Sequence, residues 1–287
     1  MESYSFSDYM NVYKNYKAYQ LSPDMVCKNN RNIIMGSLDV SVTTKCTMRC
    51  KGCASLTSLY QKGCDQNIDL IISSLEKIID NVNTIIRLNI LGGEPFLFKQ
   101  LDELCEYLNT KETIRRVVIM TNGTIVPKEE RLLKALSNKK FEIRISEYVR
   151  NNKVREKMIK TLSSANVKYS IKSFANGHFC WYDFGELVHH HRDLLELRKQ
   201  YESCSVEAQY LHNGKLFVCP RAAHGIELNK IPDVDDCYID LNSEQTDNIK
   251  LADKINEMIF RKELYDCCNY CNRGTDLIKE IPVAEQL

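Results

Sequence analysis

Three cysteines fall within eight residues in the run Cys46-Thr47-Met48-Arg49-Cys50-Lys51-Gly52-Cys53, a C-x3-C-x2-C spacing. Thiolates packed this closely grip one inorganic centre, and soft sulfur donors favour an iron–sulfur cluster or zinc over hard cations. Zinc wants a fourth Cys or His at short spacing. Cys64 is the nearest extra thiol, and no His lies near. A cubane [4Fe–4S] cluster normally takes four thiolates, so a loop of three leaves one iron open to a ligand that is not protein. The open-iron arrangement suits these residues better than zinc.

The loop sits early in an alternation of strands and helices. Leu38–Thr43 reads as a strand feeding it, and Ile68, Ile71, Ile72, Leu75, Ile78 and Ile79 recur at helical spacing. Ile85–Leu91 reads as a strand, Leu101–Leu108 as a helix, and Ile114–Met120 as a third strand, with Pro127 at the start of the helix that follows. Phe141, Ile143 and Ile145 alternate in a fourth strand and Val167, Tyr169 and Ile171 in a fifth, with Val154, Met158, Ile159 and Leu162 forming a helix face between them. Successive βα units imply parallel strands. The fold class expected is α/β: a partial (β/α)5-6 TIM-like barrel with a small C-terminal cysteine-rich α+β cluster domain. Residues 1–35 read as an N-terminal extension or cap, 36–200 as the barrel and 201–287 as the cluster domain.

The first four strands end in Cys46–Cys53, Leu91-Gly92-Gly93-Glu94-Pro95, Thr121-Asn122-Gly123-Thr124 and Ile145-Ser146. Such barrels build active sites at the C-terminal ends of their strands. In order and spacing, over roughly residues 36–175, these motifs resemble the radical S-adenosylmethionine (SAM) superfamily. The resemblance implies a [4Fe–4S] cluster on Cys46, Cys50 and Cys53, its open iron chelated by SAM. It implies that Gly92, Gly93, Glu94 and Pro95 cradle the methionine amino group. Thr121 and Asn122 then lie near the ribose, and Ser146 marks the polar strand end. Cleavage of SAM to methionine and a 5′-deoxyadenosyl radical would draw on a low-potential reductant such as flavodoxin or ferredoxin. Gly52 departs from the family pattern, which usually has an aromatic residue near the adenine there.

Charge is balanced, with 39 Lys+Arg against 38 Asp+Glu, which argues against an electrostatic grip on nucleic acid or membrane. No apolar run approaches the ~18 residues of a bilayer span, and Met1–Ser5 does not read as a signal peptide, so a cytoplasmic location is expected. In that setting thirteen cysteines point to metal or redox chemistry rather than disulfides.

A second cysteine set runs from Cys204 through Gly214 and Cys219 to Cys268-Asn269-Tyr270-Cys271. A hairpin over Gln209–Val218, turning at Asn213-Gly214, would bring Cys204 and Cys219 together. Spacing alone allows a four-cysteine zinc knuckle or a fully ligated iron–sulfur cluster. The pattern resembles the twitch domain, a truncated SPASM domain, which implies an auxiliary [4Fe–4S] cluster on Cys204, Cys219, Cys268 and Cys271. Cys267 adjoins Cys268 and is an alternative third ligand.

Other candidates carry two readings each. Cys180, in an aromatic loop beside the only Trp, is either a hydrogen-atom donor or a packed thiol. Arg221 either clamps a substrate phosphate or carboxylate or neutralises the second cluster. His224 is a base or a structural hydrogen-bonding group, and Tyr182 and Asp183 bind a polyol or fix their loop. A helix is expected over Leu187–Tyr201, with His189-His190-His191 on its solvated face. In layout the chain is similar to the aminocyclitol dehydrogenases of aminoglycoside biosynthesis and to radical SAM proteins of glycan clusters. The expected activity is therefore oxidation of a carbinol carbon of a carbohydrate-like small molecule to a ketone, with the auxiliary cluster accepting the electron. A redox-neutral epimerase using a Cys donor and a peptide-modifying maturase are the alternatives.

Overall fold

Along β1 (Ile34–Thr43), Leu38, Val40 and Val42 alternate with Ser37, Asp39 and Ser41, and the two sets face opposite sides of the sheet. The alternation continues in β2 (Thr84–Gly92), where Leu88 and Ile90 interleave with Arg87 and Asn89. A parallel strand covered on both faces normally reads as one apolar run. Here one face is apolar and the other polar. The computed structural model describes residues 33–148, 152–174, 180–204, 206, 208–242, 248–260 and 264–287. The expected cap, except for Ile33–Met35, and the aromatic stretch 176–179 lie outside the described residues.

The helices α1 (Ile68–Asn81), α2 (Leu101–Asn109), α3 (Glu130–Leu136) and α4 (Asn152–Ser164) connect β1, β2, β3 (Val117–Thr121), β4 (Phe141–Glu147) and β5 (Tyr169–Ser173). All five strands pair in parallel, in the order β5-β4-β3-β2-β1. The helices cover the apolar face: Leu75 and Ile78 of α1, Leu104 of α2 and Met158 of α4 share one core with Val40, Leu88 and Ile143. Burial of each such side chain contributes about 1.5–3 kcal/mol. Cys105 is wholly buried in this core. The architecture is the expected α/β partial barrel, and its polar face is the inner one.

Two boundaries differ from the sequence expectations. Pro127 is buried in the turn before α3 instead of starting the helix, which begins after Glu129. The helix expected over Leu187–Tyr201 is shorter. After β6 (Trp181–Asp183), α5 spans Leu194–Ser203, because Asp193 and Glu196 form a capping box that fixes its start. His189–His191 therefore precede the helix, with His191 left-handed at φ 52°.

β7 (Gln209–His212) joins the free edge of β1 in parallel. It turns through Asn213 (φ 48°) and Gly214 (φ 70°) into β8 (Lys215–Phe217), as the hairpin pattern predicts. After α6 (Pro220–Glu227), β9 (Tyr238–Asp240) extends the sheet, and α7 (Asn248–Phe260) adds Leu251 and Ile255 to the same core. β10 (Lys279–Ile281) returns to pair with β6. The boundary expected at residue 200 is thus crossed by two strand pairings and by one continuous core.

A buried polar chain locks α6 to the segment after the cysteine loop. The wholly buried His224 lies between two tyrosines, with Nδ1 2.8 Å from the Tyr60 hydroxyl and Nε2 2.8 Å from the Tyr210 hydroxyl. Tyr60 also donates to Glu227 Oε2, which lies 2.9 Å from His212 Nε2, and Tyr210 lies 3.4 Å from Ser55 Oγ. Burial, then the neighbouring His212, pushes His224 well below the ordinary histidine range. Unfolded, this imidazole takes up a proton below about pH 6.5. Folded it stays neutral, so its contribution to stability is lost as pH falls through that value. Asp39, raised to about 6, and Glu94, raised to about 7, both by burial, bind protons in the folded state and act with opposite sign. The expected signature is consequently a difference. The lead in Tm of wild type over His224→Gln should shrink as pH falls from about 7 to about 5.5, followed by circular dichroism on cluster-free protein.

Candidate active site at the strand ends

β1 and β2 end side by side, and the turn after β2 is built against the chain leaving β1. Gly93 N–H donates to the Thr43 carbonyl at 2.7 Å and Glu94 N–H to the Lys45 carbonyl at 2.8 Å. A Cβ on Gly93 would meet Lys45 O at 2.0 Å, and one on Gly92 (φ 132°) would meet Thr43 O at 2.3 Å, so both positions require glycine. Lys45 is held in turn by Asp65 at 2.8 Å. The cysteine loop therefore leaves the sheet from a fixed origin.

The Glu94 carboxylate is wholly buried and accepts from Asn122 N–H (2.9 Å), the Thr121 hydroxyl (2.8 Å) and Phe96 N–H (3.2 Å). Burial raises it to about 7 despite these bonds, and no cationic side chain among the described residues offsets it. Asn122 also reaches the cysteine loop, donating to Thr47 Oγ1 at 3.1 Å and towards Cys46 Sγ at 3.7 Å. Thr121-Asn122-Gly123 thus connects Glu94 to the cysteines. Pro95 begins a short turn of 3₁₀ helix, and Ser146 lies near the end of β4, its carbonyl accepting from Tyr148 N–H at 3.0 Å.

Cys46 is pushed up to about 11 by burial first, with Glu94 and the two other loop thiols adding to the rise. Buried thiols that oppose one another's ionisation suit a positively charged centre, which relieves both penalties at once. A buried carboxylate with no cation beside it suits an ammonium group. The loop and the Gly-Gly-Glu-Pro turn therefore fit a cluster and the amino group of SAM. Gly52 has a steric reason to depart from the family pattern. At φ 68°, a Cβ there would meet Ile281 Cδ1 at 2.4 Å and Tyr182 O at 2.9 Å, so the β6–β10 pair occupies that space. Trp181 meets Tyr148 edge-on at 5.8 Å, and Tyr148 stacks on Phe174 at 5.4 Å, beside the loop.

Below the strand ends, the inner face carries groups that the motif reading passes over. Asn89 donates to Asp39 at 2.6 Å and to Ser37 at 3.1 Å, and Ser170 donates to Glu142 at 2.6 Å, which also pairs with Arg116. The signal that betrays them is the polar alternation in strands buried on both sides.

Cys204, Cys219, Cys268 and Cys271 line one cavity of about 50 Å³ that also touches Ala54, next to Cys53. Burial pushes Cys219 up strongly, and Cys268, Cys271 and Cys204 add to the shift. Cys204 ends α5, Cys219 caps α6, and the carbonyls of Cys268 and Cys271 are held by Gln200 at 3.0 and 2.7 Å. Cys267 lines the same cavity, is buried, and is hydrogen-bonded to both Cys237 and Cys268. Arg221 lines the cavity, but its guanidinium is spent on the carbonyls of Tyr270 (3.0 Å), Gly185 (2.6 Å) and Glu186 (3.2 Å). Asp183 accepts from Gly185 N–H at 2.9 Å, fixing its loop, and Tyr182 is exposed and hydrogen-bonded to Cys180. His224 belongs to the buried lock and not to this cavity. The His run does not converge on one point: His189 and His191 contact each other, while His190 N–H donates to Asn269 O at 3.0 Å.

Replacing Glu94 by Gln keeps the shape but removes the buried charge. SAM affinity of the reconstituted protein, by equilibrium dialysis, should fall by about tenfold or more, since a charge-assisted hydrogen bond contributes about 1.5–3 kcal/mol.

The curated relatives match little more than a third of this chain. A GTP 3′,8-cyclase of Alkaliphilus metalliredigens is 31% identical over 108 residues, 37% of this chain and 33% of that protein. One of Helicobacter pylori is 31% identical over 105 residues, 36% and 32%. The chain thus spans about a third of the length of these curated relatives. Among solved structures, that of BtrN in complex with AdoMet and 2-DOIA has a TM-score of 0.54 at 16% identity, covering 89% of this chain and 100% of that one, a likeness of fold. Residues 40–185, more than half of the 287, match the radical SAM superfamily, and with its cysteine loop, glycine turn and partial barrel in place the chain belongs to that superfamily.

Proposed function

We propose that this protein is a radical SAM oxidoreductase that oxidises a carbinol carbon of a sugar- or cyclitol-type substrate to a ketone. The observation that carries this reading is the gathering of Cys204, Cys219, Cys268 and Cys271 around one cavity beside the first cysteine loop. A cluster held by four protein thiolates has no open iron, and so suits electron acceptance better than Lewis-acid catalysis. Residues 201–287 would then serve as the auxiliary cluster domain.

When bound to Cys46, Cys50 and Cys53, the cluster with SAM supplies a 5′-deoxyadenosyl radical that abstracts hydrogen from an unactivated C–H bond. The chain's part is to orient that bond and exclude water. The polar inner face suits a hydroxylated substrate. Asp39, raised to about 6 by burial, is the group best suited to take the carbinol proton near neutral pH, and Asn89 orients its carboxylate. Further support is the fold likeness to BtrN, whose structure holds AdoMet and a second small ligand and extends over both halves of this chain. The cyclases match only 36–37% of this chain, so the GTP of their name is not carried over. Against the epimerase reading, the thiol of Cys180, just ahead of β6, is engaged in a hydrogen bond with Tyr182.

Two measurements test the proposal. After anaerobic reconstitution, a Cys46/Cys50/Cys53→Ala variant should keep about four irons per chain; zinc, or no metal, would remove the electron-accepting role. Asp39→Asn should leave 5′-deoxyadenosine formation standing while lowering ketone formation by about 10²–10⁴-fold, the usual range for a general base. An equal loss of both would assign Asp39 to cofactor binding instead.

A further inference from the structure

Each sulfur of the first cysteine loop has a side-chain hydrogen-bonding group against it, and each of these groups comes from a different part of the chain. Asn122 approaches Cys46 at 3.7 Å, and the Thr57 hydroxyl lies 3.3 Å from Cys53. Against Cys50 stands Gln286, whose Nε2 is 3.1 Å from the sulfur across 236 positions of sequence. The segment around Gln286 lies on the loop as a strand would. Cys50 and Gln286 form an antiparallel bridge, Lys51 N–H donates to Glu285 O at 2.7 Å, and Leu287 N–H donates to Arg49 O at 2.8 Å.

The orientation of the Gln286 amide is dictated by its surroundings. Its Oε1 accepts from Arg49 N–H at 2.8 Å, while its Nε2 serves Ala284 O at 2.7 Å as well as the sulfur. Flipping the amide would set oxygen against two acceptors and NH₂ against a donor, so the N–H must point at Cys50. Ala284 adopts a left-handed φ of 53°, a strained conformation for alanine that lets the segment turn Gln286 inward.

We infer that residues 283–287 are a strap over the cluster loop in which Gln286 is a positioning residue: it fixes Cys50 and withdraws electron density from its sulfur. Hydrogen bonds to cluster sulfurs stabilise the extra electron of the reduced state and so raise the reduction potential. The inference rests on the reading that Cys46, Cys50 and Cys53 hold the cluster. Iron content and SAM cleavage by wild type test that reading separately.

The experiment is an EPR-monitored redox titration of anaerobically reconstituted wild type and Gln286→Met, following the signal that changes when SAM is added. The variant should keep its iron, and this cluster's midpoint should move to more negative potential. A tenfold lower ratio of reduced to oxidised cluster at a fixed poise corresponds to about 59 mV for one electron. An unchanged midpoint overturns the inference. Should the variant fail to hold iron, hydrogen exchange on wild type decides. Joint protection of residues 49–51 and 283–287 on cluster loading supports the strap, and exchange indifferent to the cluster overturns it.

Discussion

The hydrogen bonds that the Thr43 and Lys45 carbonyls accept from Gly93 and Glu94 are the contacts on which the rest of the site depends. They exist because β1 and β2 are parallel neighbours whose register shifts between Ser41 and Thr43, and because glycine lets one backbone approach another within van der Waals range. Once they form, the cysteine loop has a fixed point of departure and Glu94 is carried into the interior. There its carboxylate is satisfied by Phe96 N–H of its own turn and by Thr121 and Asn122 at the end of β3. Three strand ends thereby become one unit, the first two joined through main-chain donors and the third through the Glu94 carboxylate.

The division of the sheet into an apolar outer and a polar inner face follows the same economy of parts. Helix packing on the outer face provides the driving force for folding, through a core that runs from α1 to α7. The inner face is left free of that duty, but buried polar groups are costly unless paired. Asn89 bridges Ser37 and Asp39, and Glu142 gathers Arg116 and Ser170. Arg144 pairs with the same Glu142 at 3.9 Å, and the Lys172 ammonium lies over the Phe174 ring at 5.2 Å. Burial lowers both, with Arg87 and Arg116 lowering Arg144 further and Arg144 lowering Lys172.

What the sequence made legible was local. The cysteine loop, the glycine turn and Thr-Asn-Gly declare themselves because each needs particular residues at fixed offsets along one turn, and amphipathic helices such as α1 are written in their period. What it hid was distant in sequence. Nothing near Gln286 marks it as a neighbour of Cys50, and nothing near Tyr60 predicts that it meets His224. Nothing near Cys267 announces its hydrogen bond to Cys237, thirty positions away. The misread helix at residues 187–193 has a different cause. Apolar Leu187 and Val188 continue the helical period, but Asp193 competes as a cap, and a capping box outweighs a weak periodicity.

The buried lock around His224 gains meaning from where its ends lie. Ser55 is two residues beyond Cys53, and Ala54 between them lines the second cysteine cavity. At the other end, His224 belongs to the helix whose N-cap is Cys219, a lining residue of that cavity. Tyr210, between Ser55 and His224, stands on β7 beside Asp39 of β1. A single hydrogen-bonded chain therefore fixes the first cysteine loop, the inner face of the barrel and the second cysteine set relative to one another. A buried neutral imidazole between two tyrosines resists rearrangement because breaking either bond strands a polar atom away from water. His224 has no need to touch substrate to matter: held this way, it fixes the spacing between the two cysteine sites.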